Sequence, residues 1–304
     1  MKPEAFAAVM ATGIVSVAAA DHGLDALSVA LAVLATVALP VLMCLAASRW
    51  RTCDLRDLDT VIALFTYVAA CSVLAARFAE HRWAVWLFGA MALPGWLLLM
   101  PMTVARMRRL GVAGLRNRAR GTWELASVAT SGLAIVAVAT GTVSLAFVFW
   151  VLALCVYCVM TALIAWRALG DSEVRRDVPP DHWILMGGVA IATLAGERIH
   201  AELAPGAVAD AVRAVTVCTL AVATVQIVPL ARTGWRRMLD WPAVFPLGMY
   251  SAASYAVAVE TGWHLLVVVS LVFFWAAFLA WSLVVAAQTR QGVRLISEHG
   301  LRPK

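Results

Sequence analysis

Long apolar stretches separated by short polar ones run through the whole chain. A helix crossing a bilayer core takes about 20 apolar residues, and ten stretches satisfy that length: roughly 4–20, 24–48, 59–78, 83–105, 122–140, 142–166, 182–203, 207–231, 241–260 and 263–288. A short tail, 289–304, follows. Charged segments at 49–59, 106–120 and 167–181 bound some of these spans sharply. Elsewhere a turn has to be inferred. The stretch from Gly121 to Trp166 holds one acid, Glu124, and no base, yet is too long for one crossing. It folds back, and Thr140-Gly141-Thr142 is the best turn; Glu260-Thr261-Gly262 joins the last two spans in the same way. The predicted fold is all-α and membrane-integral, a single domain of ten transmembrane helices.

Loop charge checks the count, because cytoplasmic loops carry an excess of Lys and Arg. With loops assigned alternately to two sides, Arg77, Arg82, Arg198 and Arg213 fall on one side, and every other Lys and Arg of the 24 falls on the opposite one. A wrong span count would mix the two classes beyond the error. The chain reads as a multi-pass protein of the cell (plasma or inner) membrane, both termini cytoplasmic, with membrane lipid around it. No cleavable signal pattern opens it: Lys2 and Glu4 lead straight into apolar sequence.

The outer links are very short and the cytoplasmic ones longer, so the spans form five consecutive antiparallel hairpins. The two members of each hairpin differ. Odd-numbered spans hold most of the intramembrane glycines and hydroxyls: Thr12, Gly13 and Ser16 in the first, Ser127, Thr130, Ser131 and Gly132 in the fifth. The seventh has Gly187, Gly188 and Thr193, and the ninth Gly248, Ser251 and Ser254. Even spans are richer in Leu, Val, Phe and Trp. Small residues let helices approach closely, and hydroxyls are tolerated where they face protein or water. Two readings follow: the odd spans are the packed interior of a bundle, or they surround a polar conduit.

Composition narrows the function classes. Hydrophobic residues make up 63% and charged ones 14%, against about 45–50% and about 25% in soluble domains. Secreted enzymes, nucleic-acid readers and disordered chains are excluded, and the 24 Lys+Arg against 18 Asp+Glu is loop charge rather than a nucleic-acid footprint. Cys155 and Cys158 are spaced as CxxC but lie mid-span without a second pair or a partnering His. The six His residues show no ligand spacing. No metal, cofactor or catalytic residue is predicted, because no carboxylate, His or Cys constellation converges.

Pro3-Glu4-Ala5-Phe6 leading into Met10-Ala11-Thr12-Gly13-Ile14, Gly121-Thr122-Trp123 before Val128-Ala129-Thr130, Asp181-His182-Trp183-Ile184-Leu185-Met186-Gly187 with Leu194-Ala195-Gly196, and Trp241 with Phe245-Pro246-Leu247-Gly248 resemble, in order, the first, fifth, seventh and ninth helices of one family. It is the tellurite-resistance/dicarboxylate transporter family, which takes in TehA-type proteins, malate permeases and the slow anion channels of plant guard cells. The resemblance implies a central pore walled by the odd helices, permeation of small inorganic or organic anions, and a homotrimer. It also implies an aromatic ring from the ninth helix closing the pore, and Phe245 matches it.

On the ninth span Phe245, Gly248, Ala252 and Tyr255 share one stripe. A ring facing glycines would plug a narrow pore, and apolar constrictions gate by losing water. Pro246 removes a backbone donor, a break that would hold the ring and turn carbonyls inward. The opposing reading has Phe245 packed against lipid or a neighbouring helix. No Asp or Glu ring marks a cation path and no mid-membrane Arg or Lys would hold an anion tightly. Thr12, Gly13, Ser16, Ser127, Thr130, Ser131, Gly187, Gly188, Thr193, Pro246, Gly248 and Ala252 are the expected lining and hinge. Glu124 either titrates in the conduit, which favours a proton-coupled carrier of malate-like dicarboxylates or tellurite, or sits at the interface paired with Arg118 or Arg120.

Overall fold

The structure, a computed structural model, describes residues 3–49, 53–170, 180–231 and 240–300. All regular structure among them is helical. Ten helical segments follow the ten apolar stretches: α1 Ala7–Asp21, α2 Asp25–Ser48, α3 Leu58–Arg77, α4 Arg82–Arg118, α5 Gly121–Ala139, α6 Val143–Gly170, α7 Trp183–Ala201, α8 Ala207–Ala231, α9 Trp241–Thr261 and α10 His264–Gly300. Both inferred turns are present. Gly141 (φ 79°) and Gly262 (φ 72°) take the left-handed conformation that lets a helix end and reverse. At the first, Thr142 N–H closes onto the Ala137 carbonyl at 2.9 Å.

Two helices outrun their apolar stretches. α4 reaches Arg118, with Gly111 (φ 64°, ψ 174°) as its kink, and α10 reaches Gly300. Hydropathy marks where a chain leaves the bilayer; only a breaker ends a helix. Odd helices begin with tight turns, Pro3–Phe6 before α1, Gly121–Glu124 opening α5 and Pro180–His182 before α7, while α3 is broken at Leu64. Gly121 is required there, since a Cβ would collide with the Asp181 carbonyl.

α1, α3, α5, α7 and α9 form a closed inner ring, each against the next and α9 against α1. The even helices stand outside. In the most apolar part of α3, α5 and α9, 78–83% of residues are buried, against 22–33% in the even helices. The apolar residues that face lipid lie on these outer helices, as Val33, Leu98, Val148, Val225 and Leu265 do.

A glycine sits at each of the five seams of the ring. A Cβ on Gly13 would come within 2.9 Å of Val73 (α1 to α3), and one on Gly132 within 2.7 Å of Ser72 (α3 to α5). For Gly188 the neighbour is Ser127 at 3.2 Å (α5 to α7), for Gly187 Pro246 at 3.1 Å (α7 to α9), and for Gly248 Ile14 at 3.0 Å (α9 to α1). Lipid offers no hydrophobic drive for helix association, so such close packing holds the ring together.

The outer helices are tied on by hydroxyls. Ser16 and Ser28 each donate to the other's carbonyl at 2.7 Å, clasping α1 to α2. Ser251 and Ser270 repeat this between α9 and α10 at 2.8 Å. Thr193 donates to Thr219 on α8, while Trp96 of α4 and Trp281 of α10 donate to Thr130 and Thr12.

Gly132→Ala places a methyl where Ser72 leaves no room, and overpacking of this kind costs about 1–3 kcal/mol. Thermal unfolding in detergent is expected to show a midpoint lowered by a few degrees. An unchanged midpoint would remove the seam from its role.

Candidate functional site

Three cavities lie within or above the ring. The innermost, about 40 Å³, is at the N-terminal end of the inner helices and takes residues from all five, among them Met10, Thr66, Leu125, Ile184 and Phe245. A second, about 10 Å³, lies midway between Ile14, Val73, Ile135, Leu194 and Met249. The outermost, about 220 Å³, opens between α1, α7 and α9 and shares Val17 and Leu194 with the second. A water molecule needs roughly 10–15 Å³ and two to four polar partners. The middle cavity has neither to spare. Its one hydroxyl, Ser72, is spent on the Val68 carbonyl at 3.0 Å, so this level of the axis is dry.

Phe245 stands between the first two cavities. It is fully buried, lines the inner cavity, and lies one turn before Met249, which lines the middle one. Its ring rests on bare backbone: a Cβ on Gly187 would fall 3.2 Å from Phe245 Cε1. Ala252 and Tyr255 follow on the same stripe and line the outer cavity. Gly248 faces Ile14 instead, and through it the axis. Pro246 does not break the helix. α9 runs continuously from Trp241 to Thr261, so the expected broken turn with inward carbonyls is corrected. The proline lies in the second turn, where its ring braces against Gly187.

The expected polar lining is also corrected for most hydroxyls. Those of Thr12, Ser16, Thr130 and Thr193 are turned outward, into the bonds with α10, α2, α4 and α8 already described. Gly13 and Gly188 are seam residues. Ser131 Oγ is buried without a hydrogen-bond partner among the described residues. The axis is walled instead by Ile14, Leu194 and Met249; in sequence Ile14 and Met249 directly follow Gly13 and Gly248, and Leu194 lies two residues before Gly196.

Glu124 meets neither expectation. It is fully buried, but it is not among the residues lining the three cavities. Oε1 accepts from Thr161 of α6 at 2.6 Å and Oε2 from Ser127 at 2.9 Å. Arg118 and Arg120, its expected partners, pair with Asp57 at 3.9 Å and Asp59 at 3.1 Å.

Charge gathers at the two mouths. At the N-terminal ends of the inner helices Asp57 caps α3 through Thr60 N–H at 3.0 Å, Asp181 accepts from Thr122 N–H at 3.2 Å, and Asp240 caps α9. Burial works to raise the Asp181 carboxyl, but His182, the Thr122 N–H and Arg120 outweigh it and hold it below the usual carboxylate range. On the outer side the cavity carries Asp21, Glu197 and Glu260 against Arg198.

The profile of the voltage-dependent anion channel (SLAC1) family matches residues 1–289. The uncharacterized membrane proteins MT1776 and Rv1735c of Mycobacterium tuberculosis (strains CDC 1551 / Oshkosh and H37Rv) are each 29% identical to this chain, over 47% of it and 80% of the relative.

Proposed function

The chain belongs to the voltage-dependent anion channel family, multi-pass membrane proteins that move anions, and from that premise we propose that it is an anion channel whose gate is Phe245. The observation that carries this is the position of the ring. It is the bulkiest fully buried side chain on the inner cavity, contributed by one helix to an axis that five helices share. Above it, Ile14, Leu194 and Met249 form a second apolar level. An anion loses hydration at both levels, so the closed state is held by dewetting as well as by the ring.

A channel fits better than a carrier for two reasons. None of the residues lining the middle cavity is charged, so nothing there holds an anion tightly. The one intramembrane acid near the cytoplasmic half, Glu124, is bonded toward α6. Small anions such as chloride or nitrate are the proposed cargo. Saturable, proton-coupled carriage of dicarboxylates or tellurite is the competing reading. The proposed setting is the cell membrane, both termini cytoplasmic, as a homotrimer with one conduit per chain.

Phe245→Ala is expected to raise anion current at least severalfold in a reconstituted bilayer, with ohmic current and no proton stoichiometry. Unchanged current at normal expression would take Phe245 out of the role. Glu124→Gln is expected to leave the pH dependence of anion flux as it is in the parent chain; a pH dependence abolished by this substitution would favour the carrier. Native mass spectrometry in mild detergent should give a trimer of the 32.5 kDa chain, and a functional monomer would overturn the assembly.

A further inference from the structure

Glu197 and His200 lie three residues apart near the outer end of α7, on one face of the helix. Glu260 comes to the same place from the end of α9. One ligand atom from each of the three lies within 4.8 Å of the others. His200 Nδ1 is 3.2 Å from Glu260 Oε1, yet the two are not aligned for a hydrogen bond. Glu197 is only 6% exposed, lines the outer cavity, and its Oε1 is buried without a hydrogen-bond partner. A buried carboxylate oxygen left unpartnered is costly.

The electrostatic setting compounds that cost. The carbonyl ends of α7 and α9 carry partial negative charge, and two carboxylates converge on them. Arg198 shares the cavity but has no ion pair with either among the described residues.

We propose that Glu197, His200 and Glu260 bind a divalent transition-metal ion of the zinc class. Zinc takes N and O ligands at about 2.0–2.2 Å in a tetrahedron, which sets neighbouring ligand atoms roughly 3.3 Å apart. The His200–Glu260 separation already has that length, and the fourth position faces the cavity and water. An imidazole with two carboxylates selects zinc-like ions over magnesium or calcium. The Glu-x-x-His spacing on one helix is a geometry that metal sites in helical bundles use. Bound there, the ion adds positive charge beside the carboxylates of the outer mouth. This consequence rests on the channel reading, whereas the binding itself does not.

The test uses the full chain, purified in detergent and stripped with chelator. Titration with zinc chloride, followed calorimetrically, is expected to show one saturable site per chain, with magnesium ineffective. His200→Ala and Glu197→Gln should each weaken zinc binding at least about tenfold, while Glu202→Gln, one turn away, leaves it unchanged. Thermal unfolding without metal checks that each variant folds, and cobalt in place of zinc should give the intense visible bands of a four-coordinate site, lost in His200→Ala. No saturable binding, or binding indifferent to His200→Ala, overturns the site and leaves an ion pair only. In bilayers, zinc on the outer face should raise the anion current of Phe245→Ala, and Glu197→Gln should cancel that increase. Zinc that binds but lowers or does not change the current overturns the electrostatic consequence. Zinc binding with no current from Phe245→Ala would count against the channel and spare the site.

Discussion

Backbone-close contact between the five inner helices is the constraint from which the other features follow. Each seam of the ring has a glycine at its close approach, Gly13, Gly132, Gly188, Gly187 and Gly248 in turn, and at Gly13 and Gly132 a Cβ would come closer than 3.0 Å to its neighbour. A ring drawn this tight encloses little space, and what remains along its axis is about 40 Å³ and about 10 Å³. The closed state is thus built into the seams before any gate is added. Phe245 can occupy the axis because Gly187, a seam residue, leaves room for its ring.

The same constraint explains where polarity goes. Inside a tight, dry ring a hydroxyl has no water to bond, and an unmet polar group within a membrane is expensive. Thr12, Ser16, Thr130, Thr193 and Ser251 accordingly meet partners on the outer helices, while Thr66 and Ser72 bond carbonyls of their own helix. Ser16 with Ser28 and Ser251 with Ser270 make the same reciprocal clasp in the first and last hairpins. Glu124 obeys the same rule with Thr161. The result is a protein whose polar residues fasten two concentric layers while apolar ones wall the axis, the reverse of a water-filled pore.

Much of this was legible from the chain, and the part that was not has a physical cause. The ten helices and their hairpin order came through because apolar length is a one-dimensional signal, and eight of the described helices are long and apolar enough to cross a membrane. The concentration of small and hydroxylated residues in odd spans correctly marked the inner layer. Which way each one points is a matter of helix rotation within a bundle, and the hydrophobic pattern is nearly uniform around these helices. Thr130 was therefore assigned to the axis although Trp96 draws it outward, and Met249 went unnoticed. Helix ends at Arg118 and Gly300 escaped for another reason, since they lie beyond the apolar stretches.

Hairpin topology imposes one further asymmetry. Five hairpins joined in series make all five inner helices parallel, so their amide ends gather at one mouth and their carbonyl ends at the other, outer one. Parallel dipoles repel. At the amide ends that repulsion is met by Asp57, Asp181 and Asp240, each bonded to a backbone N–H, with Arg118 and Arg120 paired to Asp57 and Asp59 behind them. At the carbonyl ends cations and acids are mixed: Arg77 and Arg198 stand in the last turns of α3 and α7 and act on Asp21, and Arg213 of α8 acts on Glu197. Asp21, Glu197 and Glu260 add negative charge there, and Arg198 alone lines the cavity against them. Carboxylates at the amide ends offset the positive potential there, whereas those at the carbonyl ends add to a negative one. The outer mouth is thus where an added positive charge, whether a metal ion or a proton, changes the barrier most.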